Sequence, residues 1–279
     1  MNFKIITLIL ITLFFFASSS ILARAAFISD SIDAYSFTFF RLFFGTLTLL
    51  FILYFKERKL NFTIKKNWDS SFMLFLYAIC FSYAYINLDA GLGALILFAV
   101  VQITIIIASV LRKEKLNSTK FLGIIISFSG LVYLLYPSAQ FELSLYHSFL
   151  MAIAGIAWGV YTILGKNSSN ATLHTTDNFI KSLVFLGLFF IFFAKDINIS
   201  TYGVILAFIS GGVTSSIGYI LWYYLLPRLQ VMTSGILQLL IPPIAIFLGV
   251  IFLHEELTLK LILSTITILV GIVIYLRSK

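Results

Sequence analysis

Charged residues, cysteine and proline are all scarce in this sequence of 279 residues. Charged side chains make up 11% of it, against about a quarter of an ordinary soluble domain. The single cysteine, Cys80, excludes an internal disulfide and a cysteine-based metal site. The sequence also lacks a Gly-x-x-x-x-Gly-Lys-Ser/Thr loop, which argues against ATP as a direct energy source. So little charge is incompatible with an ordinary soluble domain.

Apolar residues take the place of the missing charge and make up 61% of the sequence. They stand in long runs, and a membrane-spanning helix needs roughly 20 mainly apolar residues. Continuous apolar runs favour helices over a barrel, whose strands alternate between apolar and polar residues. The sequence therefore predicts an all-α integral membrane protein with ten transmembrane helices. They lie near residues 5–26, 35–55, 70–88, 91–111, 120–136, 145–165, 176–194, 201–224, 231–253 and 259–276.

The first apolar run has a second interpretation. Lys4, the run itself and then Ala23-Arg24-Ala25 are similar to a secretory signal sequence with its cleavage site. The run is longer than the roughly 7–15 apolar residues that are typical of such a signal. We therefore expect it to be kept as the first spanning helix.

The distribution of charge predicts the orientation in the membrane. Ten crossings place both termini on the same side, and most lysines and arginines fall in the tails and loops of that side. Acidic residues such as Asp30, Asp33 and Asp89 fall on the other side. Because positively charged loops stay in the cytoplasm, we expect a multi-pass protein of the inner (cytoplasmic) membrane with both termini cytoplasmic. The same loops account for the net charge of +8, so no nucleic-acid partner is expected.

The sequence repeats itself at a spacing of about 141 residues. Residues 77–135 align with residues 218–276 without a gap, and Gly130 aligns with Gly271. The two predicted five-helix repeats are residues 1–137 and 145–279. Five is an odd number of crossings, so the second repeat is expected to be inverted relative to the first. Inverted repeats are a recurrent architecture of secondary transporters, with the substrate near the midplane where the halves meet.

Several motifs resemble those of one family. Residues 242–257 begin with Pro-Pro and end with His-Glu-Glu-Leu, which is similar to the segment between the ninth and tenth helices of the EamA family in the drug/metabolite transporter (DMT) superfamily. Trp-Gly at 158–159 and Arg-Leu-Phe at 41–43 fit the same pattern. The resemblance covers essentially the whole chain. It departs from the pattern in the first half, where Gln102 replaces an expected proline and Arg-Lys at 112–113 replaces a small-residue turn.

The resemblance implies a duplicated ten-helix transporter. Such proteins carry amino acids, nucleotide-related metabolites, sugars or toxic organic compounds, in a cavity lined mainly by helices one, three, four, six, eight and nine. The resemblance names no substrate. Pro242-Pro243 also removes helical hydrogen bonds near the middle of the ninth span, and this break predicts either a cavity-facing backbone or a simple kink.

Neutral polar and aromatic side chains within the spans are the candidate substrate-binding residues. They are Ser19, Gln102, Trp158, Tyr161, Tyr219, Trp222, Tyr223 and Gln238. Amides in hydrocarbon need partners, so Gln102 and Gln238 should point into the bundle, although hydrogen bonding between helices is an equal alternative to substrate contact. For rings near span ends, an interfacial aromatic belt is the alternative. Trp158 lies deeper, within a Gly-x-x-x-Gly run that favours close helix packing.

Four charged residues are candidates for structural roles. Arg41 and Lys181 hold related positions in the two repeats, where a charge faces either protein or water, or else extends toward the interface or bonds to helix-end carbonyls. Glu114 and Glu255 precede the fifth and tenth spans, where a carboxylate complements the positive end of a helix. The segment His254-Glu255-Glu256 lacks the second histidine of a zinc motif, so no metal site is predicted.

The sequence thus predicts a secondary transporter that works by alternating access on a small metabolite, an amino acid or a related compound, in the direction of export. A lipid or lipid-headgroup flippase is one alternative, since the eighth span is rich in tyrosine and tryptophan. An intramembrane enzyme is another, but the three histidines are scattered along the chain, and we expect neither catalysis nor a cofactor. The expected partners are the small-molecule substrate and the lipid bilayer. The sequence does not predict an oligomeric state or a coupling ion.

Overall fold

The computed structural model describes residues 3–58, 66–113, 117–136, 144–193, 197–254 and 259–278. Within these residues the protein is built from helices, apart from an isolated β-bridge between two loops. Glu114 and Glu255 lie outside the described residues, so their predicted helix-capping role stays a prediction.

The described helices form ten consecutive rods, numbered here in chain order. They are α1 (Phe3–Ile28), α2 (Ala34–Glu57), α3 (Trp68–Ala84), α4 (Ala90–Leu111), α5 (Ser118–Leu135), α6 (Leu145–Gly165), α7 (Ala171–Phe193), α8 (Thr201–Arg228), α9 (Val231–Phe252) and α10 (Leu259–Arg277). Six of them, α1, α2, α4, α6, α8 and α9, are long and apolar enough to cross a membrane by length and composition alone. The apolar stretches of α5 and α10 are shorter.

Two rods depart from regular α-helix. In α8, a π-helical segment at Ile209–Ser215 separates two α-helical parts, and the rod ends in a 3₁₀ turn at Leu226–Arg228. In α9, the helix stops at Gln238 and restarts at Ile241, with prolines in its new first turn. The break predicted from Pro242-Pro243 is therefore present, and the two prolines leave the carbonyls before them without helical N–H donors.

Helix starts are fixed by short polar side chains. The carboxylate of Asp33 accepts a hydrogen bond from the backbone N–H of Ser36 (2.9 Å) at the start of α2, and the side chain of Asn117 accepts one from Lys120 (2.8 Å) at α5. Ser200 does the same for α8. These bonds satisfy N–H groups that have no partner within the helix, which is why such residues mark helix starts in the sequence.

The packing of the two halves follows the repeat. α3 packs on α6, and its counterpart α8 packs on α1; α4 packs on α6, and its counterpart α9 packs on α1. The pairs α2–α7, α4–α9 and α5–α10 are in contact with each other. In the α5–α10 pair, Gly271 lies against Ser127, and its counterpart Gly130 lies against Ile268, the counterpart of Ser127. A two-fold relation at the spacing of 141 residues accounts for both contacts.

Contacts between loops show which helix ends lie at the same end of the bundle. At one end of the bundle, the loops at 29–33 and 197–200 are joined by an antiparallel bridge between Ile32 and Ile199. Backbone bonds from Asp33 to Asn198 and from Ser200 to Ser31, both 2.9 Å, accompany this bridge. We call this the acidic end, because Asp30, Asp33 and Asp89 lie there.

The opposite end carries most of the described lysines and arginines and is called the basic end. Here Lys56 in the last turn of α2 donates a hydrogen bond to Thr172 in the first turn of α7 (2.9 Å), and Glu57 accepts one from Asn170. Lys166 at the end of α6 donates to the backbone carbonyls of Leu226, in the last turn of α8, and Leu229, just after it. Each of these contacts joins segments that ten alternating rods place at the same end.

The outer surface of the bundle is apolar. Large side chains such as Phe51 and Ile191 are 64% and 69% exposed. Interior positions hold both apolar residues and many hydroxyls, whose donors bond to the carbonyl four residues earlier, as for Thr12 and Thr46 (2.7 Å each). Apolar outside and hydrogen-bonded inside is the arrangement expected of a protein surrounded by lipid.

Close contact between α5 and α10 predicts that Gly271→Ala destabilises the protein. A Cβ atom at this position would lie 2.3 Å from the hydroxyl and 2.4 Å from the backbone nitrogen of Ser127. We expect a loss of about 1–3 kcal/mol, typical of overpacking, measured as a lower thermal unfolding midpoint in detergent. Gly187→Ala is the matched control, because a Cβ there meets nothing within 4 Å. Equal midpoints for the two variants would contradict the packing described.

Candidate functional site

Aromatic rings from both halves meet in the centre of the bundle. Trp158 of α6 lies at the middle of this group, with ring centroids of Phe16, Tyr77, Tyr161 and Tyr219 between 4.9 and 5.5 Å from its own. Trp222 and Tyr223 of α8 extend the group through Phe16 and Tyr161. We call these seven residues the central aromatic cluster. None of them is more than 7% exposed, so the cluster is closed off from both lipid and water.

The polar atoms of the cluster are satisfied by neighbouring helices. The indole N–H of Trp158 donates to Oε1 of Gln238 (2.6 Å), and the amide of Gln238 donates to the carbonyl of Ser234 (3.0 Å). The indole N–H of Trp222 donates to the hydroxyl of Thr162 (3.3 Å). Gln238 is also the last residue before the break in α9, so the broken helix supplies the partner of the central tryptophan.

Close helix packing places Trp158 in this position. A Cβ on Gly155 would lie 2.8 Å from the carbonyl of Leu97, and one on Gly159 would lie 2.8 Å from Thr104. The predicted close contact of the Gly-x-x-x-Gly run is therefore confirmed, and its partner is α4. With α6 held against α4 on the glycine side, Trp158 projects into the bundle.

On the side toward the basic end, the cluster is closed by three polar side chains. The amide of Asn178 in α7 donates to the hydroxyls of Tyr223 (3.2 Å) and Tyr161 (3.4 Å). Beyond Tyr223 lies a cavity of about 590 Å³ that opens at the basic end and is lined by Lys56, Arg228 and polar residues of the α6–α7 loop.

The equivalent contact in the first half is smaller. Thr38 of α2 donates to Ser82 of α3 (2.7 Å), and these residues are the repeat counterparts of Asn178 and Tyr223. A second cavity, of about 250 Å³, lies toward the acidic end and is lined by Phe27, Asp33 and Tyr83 among others. The contact between the rings of Phe27 and Phe37 (5.2 Å) lies between this cavity and the middle of α2.

Arg41 lies beside the cluster and is 2% exposed. Its Nε donates to the hydroxyl of Ser215 in α8 (3.0 Å), and its guanidinium lies over the rings of Phe81 (5.1 Å) and Tyr77 (5.7 Å). Its Nη1 is buried without a hydrogen-bond partner among the described residues. The alternative that Arg41 extends toward the membrane interface is therefore wrong. Arg41 lies about two turns after the start of α2, and its side chain points into the bundle.

The π-helical segment of α8 brings Ser215 to Arg41. Gly211 touches the backbone of α2, because a Cβ there would lie 2.0 Å from the carbonyl oxygen of Arg41. The neighbouring Thr214 hydroxyl bonds to Ser19 of α1 (2.7 Å). Since π-helical turns occur frequently at functional sites, this segment marks the region around Arg41 as a candidate for function.

Lys181, the repeat counterpart of Arg41, has different surroundings. Its ammonium pairs with Asp177 (2.7 Å), donates to the carbonyl of Lys66 and lies over the ring of Trp68 (5.4 Å). Asn67 donates to the same carboxylate (2.9 Å). The seventh span begins at 176 in the sequence-based prediction, but α7 begins at Ala171, and Asp177 is consequently a buried acid inside the helix. Lys181 is thus neutralised near the basic end, whereas Arg41 is not.

Six of the eight candidate substrate residues meet in or at the cluster: Trp158, Tyr161, Tyr219, Trp222, Tyr223 and Gln238. Ser19 lies close by, through its bond to Thr214. Gln102 points into the bundle as expected, but its Oε1 faces α9 at Gly235, one helical turn from Gln238, and has no hydrogen-bond partner in the described structure. Whether these residues contact a substrate stays a prediction.

Sequence reasoning missed several residues of this region. They are Phe16, Tyr77, Phe81, Asn178, Thr214 and Ser215. Phenylalanine and tyrosine in an apolar run carry no distinguishing pattern. The repeat does contain a signal for two of them, since Phe81 aligns with Trp222 and Asn178 aligns with the polar Thr38.

Comparisons with known proteins agree on the family. The model of the EamA-like transporter family matches residues 3–136 and 146–277, one copy in each half. The uncharacterised protein PA1977 of Pseudomonas aeruginosa is 38% identical over 95% of this chain and 91% of its own. The uncharacterised transporter YoaV of Bacillus subtilis is 22% identical over 85% of each chain. A solved crystal structure at 15% identity has the same fold, with a TM-score of 0.78 over 97% of this chain and 98% of the other.

The bond between Trp158 and Gln238 predicts a measurable coupling. Gln238→Leu leaves the indole N–H buried without an acceptor, so we expect a loss of roughly 1 kcal/mol of stability. Trp158→Phe removes the donor, and adding Gln238→Leu to it should cost less than Gln238→Leu alone. Unfolding of the two single variants and the double variant in detergent gives the coupling. Strict additivity would show that the bond contributes nothing.

Proposed function

The chain belongs to the EamA-like transporter family, and on that premise we propose that it is a secondary transporter that moves a small organic solute by alternating access. Family membership and the apolar helices point to a multi-pass membrane protein that transports small solutes. The transport cycle, the side of the membrane and the solute are the proposed part. The observation that carries the proposal is a closed central cluster with one cavity toward each end of the bundle.

The proposed topology has ten crossings, with residues 1–137 and 145–279 as inverted repeats and both termini in the cytoplasm. The loops fall into two groups, one at the acidic end and one at the basic end. Ten rods that alternate in direction account for every loop contact described above, and this supports the proposed topology. The basic end is then cytoplasmic, in the inner membrane of the cell, because lysine and arginine are retained on that side.

In the proposed cycle the described structure is an occluded state. The solute binds between the two halves, against Trp158 and Tyr219, after one of two closures has opened. The closure at the basic end consists of Tyr161, Tyr223 and Asn178. The closure at the acidic end consists of the Phe27–Phe37 contact and the bridge between two loops. Rocking one half against the other opens one closure while the other stays shut.

The burial of the cluster favours a soluble solute over a lipid headgroup. A flippase needs a path that is open sideways to lipid, and every ring of the cluster is almost fully covered by protein. Aromatic faces with a few hydrogen-bonding groups suit an amino acid or a related metabolite. Export is the direction that we propose, since the larger cavity, about 590 Å³, lies at the end assigned to the cytoplasm.

The first test is transport by purified protein in vesicles. The wild type is screened against amino acids and related metabolites, with and without a pH gradient. Trp158→Ala and Gln238→Ala are expected to lower the transport rate at least about tenfold while the protein still inserts and purifies, because each removes a group from the cluster. Gly187→Ala, far from the cluster, is the control. Flat uptake and efflux for all compounds, or full activity of both cluster variants, would refute the proposal.

Alternating access makes a separate prediction about the two cavities. Cys80→Ala gives a cysteine-free background, into which Ala34→Cys (acidic-end cavity) or Ala171→Cys (basic-end cavity) is introduced. A transported compound should change the rates of maleimide modification at the two positions in opposite directions. Ser29→Cys, on the exposed loop at the acidic end, should react at a constant rate. Changes of the same sign at both cavities would contradict alternation.

A further inference from the structure

Arg41 carries a buried positive charge for which the described structure holds no carboxylate. The two ion pairs within the described residues join Arg24 to Asp89 and Lys181 to Asp177. Both pairs lie toward the ends of the bundle, whereas Arg41 lies beside the central cluster. The contacts of its guanidinium are the hydroxyl of Ser215, a side-chain hydrogen bond with Tyr77, and the faces of the Phe81 and Tyr77 rings.

These contacts satisfy only part of the guanidinium. Ring faces attract the cation, and the bond to Ser215 occupies Nε, but Nη1 has no acceptor and is shielded from solvent. A charge with an unused donor in a low-dielectric interior is costly, and it is normally retained where it serves a function. An acceptor that carries a negative charge would complete the hydrogen bonding of this guanidinium.

The surroundings restrict what this acceptor can be. Arginine presents a planar fork that matches a carboxylate with two parallel hydrogen bonds. With Lys181 paired with Asp177, Arg41 is the one cation among the described residues of the bundle interior that has no carboxylate partner, which suits a monoanion better than a doubly charged phosphate. Tyr219 interacts electrostatically with Arg41, and Trp158 packs on Tyr77, whose ring lies under the guanidinium, so both would cover an apolar or aromatic remainder of the same molecule.

We propose that Arg41 binds the carboxylate of the transported solute, and that the solute is a monocarboxylate with an apolar or aromatic body. This assignment rests on the proposed transport function and names its substrate class. Ser215 is a positioning residue, which holds Nε so that the outer edge of the guanidinium faces the solute. The π-helical segment that carries Ser215 links this contact to the conformation of α8, so solute binding and helix movement are coupled.

The test is equilibrium binding in lipid nanodiscs, followed by the fluorescence of the tryptophans, two of which belong to the cluster. Three carboxylates are compared with the corresponding primary amides, which lack the carboxylate charge: 3-phenylpropanoate, hexanoate and L-phenylalanine. We expect at least one carboxylate to bind roughly tenfold or more tightly than its amide, because a charged hydrogen bond to arginine is lost in the amide. Equal affinities within all pairs, or no binding of any of the three carboxylates at millimolar concentration, would overturn the assignment.

Variants test which residue causes the difference in affinity between carboxylate and amide. Arg41→Gln should abolish the difference between carboxylate and amide, and Ser215→Ala should weaken carboxylate binding by about fivefold while leaving the amide unchanged. Arg24→Gln is the matched control, an arginine removed at the acidic end, and should keep the wild-type difference. If Arg41→Gln fails to fold, the wild-type comparison and Ser215→Ala still decide. Discrimination that survives in a folded Arg41→Gln, or an equal loss for both ligands in Ser215→Ala, would overturn the assignment.

Flux measurements separate this assignment from the function on which it rests. Carboxylate-selective binding without flux in vesicles would leave the anion site standing and refute transport. Flux of an amide and its carboxylate at equal rates would support transport and refute the anion site.

Discussion

In hydrocarbon there is no water to complete a hydrogen bond, so every polar group of this protein has to find its partner within the chain. The hydroxyls of Thr38 and Thr46 donate hydrogen bonds to backbone carbonyls in the preceding turn of their helix. The indole N–H of Trp158 donates to the amide of Gln238, which lies at the break in α9. The same rule makes exceptions informative. Among the described residues, Arg41 has a buried donor atom, Nη1, without a hydrogen-bond partner, and its charge has no carboxylate partner. It lies where the two halves of the bundle meet.

The duplication supplies a symmetric frame, and its departures from symmetry distinguish the two halves chemically. Thr38 and Ser82 form a small contact in one half, while Asn178 and Tyr223 form a larger one at the corresponding place. Among the described residues, Arg41 in one half has no carboxylate partner, whereas its counterpart Lys181 is paired with Asp177. A transporter with identical closures would treat its two sides alike. In the proposed transport cycle, unequal closures would give each side its own opening energy, and hence a preferred resting state.

Much of the helical architecture could be predicted from the sequence, because it depends on patterns that recur along the chain. Spans are long apolar runs, and the repeat spacing set by Gly130 and Gly271 corresponds to a real contact between α5 and α10. The inward direction of both glutamines followed from the cost of an unpaired amide. What could not be predicted depends on which face of a helix turns inward. Arg41 has the same depth whether it reaches for water or for Ser215, and only the packing of α2 on α8 decides between them.

The π-helical segment at Ile209–Ser215 has a consequence for how this sequence can diverge. A wide turn holds more residues per turn than α-helix, so losing one residue would let the segment relax into regular helix. Because the wide turn already accommodates one extra residue, the side chains that follow, such as Tyr219 and Trp222, would keep roughly their direction, whereas those within the segment would shift and lose the contacts of Thr214 and Ser215 with α1 and α2. A deletion at this point would therefore spare the aromatic cluster and remove the contact between α8 and Arg41. Relatives that keep this chemistry should therefore conserve the number of residues here more strictly than their identity.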